Sequence, residues 1–79
     1  MRLYELCSAI IIQGNIAIKI FDEEGGELEE RLFRNQDNFD TNFALTADLE
    51  YLEVIYIYPM DLYRGEQWLV IELRESHEV

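Results

Sequence analysis

The stretch NIAIKIFDEEGGELEERLF, Asn15 to Phe33, decides the fold. Ile16, Ile18 and Ile20 alternate with Ala17, Lys19 and Phe21, and a period of two sends successive side chains to opposite faces, as in a half-buried strand. The acidic segment Asp22 to Glu27 then reverses the chain, because Gly25 and Gly26 can take positive φ without a Cβ penalty. The returning strand, Glu27 to Arg34, puts Leu28, Glu30 and Leu32 on one side and Glu29, Arg31 and Phe33 on the other. Neither side is cleanly apolar. A strand charged on both faces suits a sheet edge, where charge discourages pairing with other chains.

Outward from this hairpin the pattern changes twice. Toward the N-terminus, Leu3, Leu6, Cys7, Ile10 and Ile11 fall at i, i+3, i+4, i+7 and i+8, one apolar stripe on a helix, with Gly14 placed to cap its end. The spacing predicts a helix from about Leu3 to Ile11. The β-branched run Ile10-Ile11-Ile12 weakens its last turn. Toward the C-terminus, Asn35 to Phe43 has loop composition, and Thr46 is placed to cap a short helical turn through Glu50. Leu52 to Tyr58 and Trp68 to Arg74 are dense in β-branched and aromatic residues and read as strands. Pro59 is expected to end the first, and Gly65 to turn the chain into the second. Residues 76–79 are expected to fray.

The expected architecture is α+β: an N-terminal helix packed on a four-stranded antiparallel sheet, in the order α-β-β-(short α)-β-β, forming one domain over residues 1–79. In the second hairpin Val54, Tyr56, Tyr58, Trp68 and Val70 compete with Ile55, Ile57, Leu69, Ile71 and Leu73 for burial. One short helix cannot cover both faces. The other face, with Tyr56, Tyr58, Trp68 and Val70, is therefore a candidate apolar and aromatic interface, and a homodimer through it is the expectation. The alternative is that the loop from Asn35 to Leu45 folds over it.

Charge is the strongest global signal. Seventeen acids stand against six bases in 79 residues, giving a net charge of −11, while 49% of residues are apolar. That apolar share is too high for a disordered acidic chain. The acidity disfavours direct contact with nucleic acid or an anionic membrane and leaves a basic partner conceivable. No apolar run approaches the roughly 20 residues of a membrane span, and the N-terminus shows no signal-peptide pattern. The lone Cys7 fits a reducing compartment. The expected location is the cytoplasm.

The acidic hairpin invites three kinds of chemistry. A calcium loop of the helix-loop-helix kind needs glycine at its sixth position and glutamate at its twelfth, but counting from Asp22 these are Glu27 and Phe33. A carboxylate pair acting as general acid and base needs one member desolvated in a cleft, and hairpin-tip acids are wet. Cys7 lies on the apolar stripe and the single histidine, His77, lies in the tail, so a nucleophile-base pair has no support. No catalytic residue, metal or cofactor is expected. Two readings remain. One is a non-enzymatic protein-interaction module of unknown partner. The other is mimicry of a polyanion by an acidic surface made of Asp22, Glu23, Glu24, Glu27 and Glu29, inhibiting a DNA-binding or defence protein. Alternate strand residues such as Glu27 and Glu29 lie about 6.6 Å apart, near the phosphate spacing along one strand.

The segments IAIKIFDEEGGELEERLF, LEVIYIYP and WLVIELRE resemble a group of short acidic open reading frames carried on mobile elements and chromosomes of gut-dwelling Gram-positive bacteria. The shared pattern is an N-terminal helix ending in Gln-Gly, a strand running into an acid-rich turn, and a final Trp-led strand. The resemblance carries no activity and no functional residue. It implies a context, since accessory genes of mobile elements include inhibitors of host restriction and defence.

Overall fold

A computed structural model describes residues 1–9, 13–36, 49–62 and 64–75 of the chain. One helix, α1 (Leu3–Ala9), precedes four strands: β1 (Gly14–Phe21), β2 (Glu27–Gln36), β3 (Glu53–Leu62) and β4 (Glu66–Arg74). The strands form one sheet in the order β2-β1-β4-β3.

The two hairpins are as the alternation predicts, with β1 antiparallel to β2 and β3 antiparallel to β4. They join differently from the expected all-antiparallel sheet. β1 and β4 lie side by side in parallel, Ile16 opposite Leu69 and Ile18 opposite Ile71, so the sheet is mixed. The reason is burial. A central strand is covered on both faces and must be apolar on both, and β1 and β4 meet that demand: Ile16, Ala17, Ile18, Val70, Ile71 and Leu73 are fully buried. The charged β2 and the tyrosine-rich β3 go to the edges. β2 and β3 lie at opposite edges of the sheet, and most of the chain between Gln36 and Glu53 lies outside the described residues.

The helix covers one face. Leu3 and Leu6 are buried against Ile16, Ile18, Ile20, Phe33, Leu49, Ile71 and Leu73, with Cys7, Leu52, Val54 and Leu69 packed at the margin. The start of α1 is held by the chain that leads into β3. Leu3 and Tyr4 donate backbone N–H bonds to the carbonyls of Leu52 and Glu50 at 3.0 and 2.8 Å, and the Glu5 carboxylate accepts from the Arg2 N–H at 2.9 Å. The first donors of the helix, which have no partner within it, are thereby satisfied. α1 covers Leu3–Ala9 of the predicted Leu3 to Ile11, and residues 10–12 lie outside the described residues. Gly14, the predicted cap, has φ +93° and is the first residue of β1. Of the predicted turn at Thr46 to Glu50, only Leu49 and Glu50 are described, as part of a turn. Most of the loop from Asn35 and the tail 76–79 also lie outside.

Of three irregularities in the ladders, two re-sort side chains that simple alternation misassigns. Leu73 pairs with Val54 but Glu72 pairs with Tyr56, so Ile55 is an extra residue in β3. Val54 therefore joins the helix side and Tyr56 the opposite side, instead of sharing a face. Likewise Ile20 pairs with Glu29 but Phe21 with Glu27, leaving Leu28 extra in β2. Such bulges shift every later side chain to the other face. Pro59 does not end β3. The strand continues to Leu62 with Pro59 opposite Leu69, which is permitted because β3 is an edge strand.

Candidate functional site

The acidic turn is built around one of its own carboxylates. Asp22 Oδ1 accepts from the backbone N–H of Glu24 at 2.9 Å and of Gly26 at 2.8 Å. The Asp22 N–H donates to the Gly26 carbonyl at 2.8 Å, and the Gly25 N–H to the Asp22 carbonyl at 3.1 Å. Gly25 supplies the required left-handed residue at φ +94°. Asp22 is thus half-buried turn scaffolding.

The remaining acids of the predicted surface are exposed, but they do not form one row. Glu23 and Glu24 sit at the turn tip. The bulge at Leu28 sends Glu27 with Phe21 to the face opposite the helix and Glu29 with Ile20 to the helix side, where Glu29 accepts from Arg31 Nε. None of the described Asp and Glu residues is buried, and the described residues contain no cluster of His, Cys, Asp or Glu able to hold a metal ion. These carboxylates meet solvent, which is the setting of charge and recognition and not of the desolvated acid-base pair.

The face opposite the helix carries the aromatic residues that the sequence singles out, and it divides them. Trp68 and Val70 are interior, 2% and 0% exposed, and pack with Ala17 and half-buried Tyr58 as a second small core. The Arg34 guanidinium stacks 5.1 Å from the centroid of the Trp68 ring and pairs with Glu66 at 2.5 Å. Tyr56, by contrast, is 64% exposed. Two residues that the sequence reading passed over share its face: Met60, opposite Trp68, and Leu32, opposite Ala17, at 42% and 41% exposure. The signal was present, since Tyr56, Tyr58 and Met60 continue one period-two series, but it runs through a proline taken as a strand end.

A polar row crosses the same face. Glu30 on β2 lies 3.8 Å from Lys19 on β1, Lys19 is opposite Glu72 on β4, and Glu72 accepts the hydroxyl of Tyr58 on β3. That hydrogen bond, with partial burial and the negative charges of Glu72 and Glu27, pushes the Tyr58 hydroxyl up from 10.0 to about 12. A neutral hydroxyl donating to a carboxylate is an arrangement that ionisation would destroy. At the end of the sheet a shallow groove of about 260 Å³ lies between Asn15, Pro59, Gln67 and Trp68, with the Asn15 amide donating to the Gln67 carbonyl at 3.3 Å. It presents amides and one indole but no titratable group.

No family model, curated protein or solved structure compared with this chain matches it. Among the described residues no helix is long and apolar enough to cross a membrane.

Proposed function

We propose that this chain is a non-enzymatic cytoplasmic module that binds another protein through the β3 side of the sheet face opposite the helix. The observation that carries the reading is the exposure of Tyr56 and Met60 on β3, on a face whose floor, Trp68, Val70 and Ala17, is already packed. A rigid base under exposed aromatic and thioether side chains suits recognition, because little side-chain order is lost on contact. The acids keep the surface soluble and favour basic partners over acidic ones. A second copy of the chain is a further candidate for the face, as the sequence reading expects, although two copies at −11 each repel at low salt.

The test is binding by the variant Tyr56→Ser with Met60→Ser. Both side chains are exposed, so the fold should persist while the partner captured by wild type is lost. Capture by the apolar face should change little between about 50 and about 500 mM salt. Unchanged capture by the double variant refutes the reading. For a homodimer, a monomer mass by light scattering at micromolar concentration is the refuting result.

Polyanion mimicry is the alternative. The exposure of Glu23, Glu24, Glu27 and Glu29 supports it, as does the mobile-element context of the resemblance. The split of Glu27 and Glu29 between faces favours the apolar module instead. Replacing these four glutamates with glutamine should abolish mimicry, along with its steep salt dependence and competition by DNA, and should leave apolar binding nearly intact.

A further inference from the structure

The outer edge of β3 is a strand edge facing away from β4, and its hydrogen-bonding groups can be assigned by counting. The Val54 N–H donates to the Met1 carbonyl at 2.7 Å, and Arg2 forms an antiparallel bridge with Glu53. Val54 therefore points its backbone groups outward, and its pairing with Leu73 is of the kind without mutual hydrogen bonds. The next pair, Tyr56 with Glu72, points inward. Alternation beyond the bulge then makes Ile57, Pro59 and Asp61 the outward residues. Proline chemistry gives the same answer independently, because an inward position would need an N–H that Pro59 lacks.

The N-terminal residues cover this edge at Glu53 and Val54. Among the described residues nothing pairs with it further along. The free stretch is attractive to another strand. An antiparallel pairing of β3 with the β3 of a second copy, centred on residue 59, sets Ile57 against the partner's Asp61 and Tyr58 against the partner's Met60. The second contact matches an aromatic with a thioether, a favourable pairing. At the two-fold axis, however, residue 59 faces its own equivalent, and a ladder there needs each to donate an N–H to the other's carbonyl. Proline removes both central bonds at once.

We propose that Pro59 is a lock that prevents β3 from adding to the β3 of a second copy of this chain. The inference does not depend on the proposed function, since it concerns the edge and not the face. It accounts for a proline in mid-strand, where it gives up a donor, beside an exposed tyrosine and methionine.

The experiment compares wild type with Pro59→Val and Pro59→Ala, both of which restore the N–H. Amide exchange at Ile57 and Asp61 and sedimentation are followed from about 10 µM to about 1 mM, so that association shows as a concentration dependence. In wild type these two amides should exchange freely at all concentrations. In both variants they should slow by roughly tenfold or more as concentration rises, with the apparent mass doubling relative to wild type. Adding Met60→Lys to Pro59→Val should reverse the doubling, since charge on an edge strand opposes pairing. Variants that keep wild-type mass and exchange overturn the proposal, as does protection of Ile57 and Asp61 in wild type. Loss of the folded emission of Trp68 in both single variants also overturns it, because Pro59 would then be required within one chain.

Discussion

Asp22 is where charge and architecture can be separated by substitution. Its Oδ1 atom receives two backbone N–H groups, at 2.9 and 2.8 Å, and alanine would remove both acceptor contacts while leaving the two backbone bonds of the turn in place. A net contribution of about 0.5–1.5 kcal/mol per bond, taken low because the turn is solvated, puts the loss in Asp22→Ala at about 1–2 kcal/mol. In a chain of this length, that corresponds to a fall in Tm of roughly 4–16 °C. Asparagine keeps the oxygen and loses the charge, so Asp22→Asn should stay within about 0.5 kcal/mol of wild type. Trp68, the single tryptophan and 2% exposed, gives a native emission signal for urea unfolding. With m of about 1–1.5 kcal/mol/M, the alanine midpoint should fall by about 1 M and the asparagine midpoint by under half of that. An alanine variant with the wild-type midpoint, or an asparagine variant as weak as alanine, would show that the side chain does not hold the turn.

Further outcomes follow from the core and the polar row. Ile18 is fully buried in β1 between β2 and β4, so Ile18→Ala should cost about 2–5 kcal/mol. Against a total of about 4–12 kcal/mol for a chain of this size, a variant with a wild-type melting curve would contradict the central placement of β1. The Tyr58 hydroxyl is pushed up from 10.0 to about 12 because it donates a hydrogen bond to the Glu72 carboxylate. The folded value lies above the unfolded one, so its stabilisation is complete below about pH 10 and is lost as pH rises toward 12. Ultraviolet titration should find Tyr58 ionising late, and Glu72→Gln should bring it back toward 10.0. Tyr58→Phe should flatten the fall of stability in that window. An unchanged titration in Glu72→Gln would remove Glu72 as the cause.

The period-two runs make both hairpins legible from the sequence, and the mixed charges of Glu27 to Arg34 correctly mark β2 as an edge. The isoleucines of β1 and the stripe of α1 mark side chains that need burial, but which sheet face the helix covers is decided by packing among distant strands. Alternation failed at single residues. Leu28 and Ile55 are extra in their ladders, and nothing local distinguishes a bulged glutamate-leucine or valine-isoleucine pair from a regular one. Simple alternation therefore groups Val54 with Tyr56 and Glu27 with Glu29, which the bulges separate. Trp68 and Val70 were read as interface because burial by Arg34, Tyr58 and Ala17 depends on strands distant in the chain.

The order of residues by itself determines local geometry: where the chain is extended, where it turns, and how acidic the molecule is. These follow from sterics and side-chain period within a few positions. Only the tertiary structure decides that β1 and β4 run in parallel at the centre. That pairing depends on which strands can bear burial on both faces at once, a comparison among all four strands that no single segment contains. The same global sorting puts Tyr56 and Met60 at the rim and sends Trp68 inside.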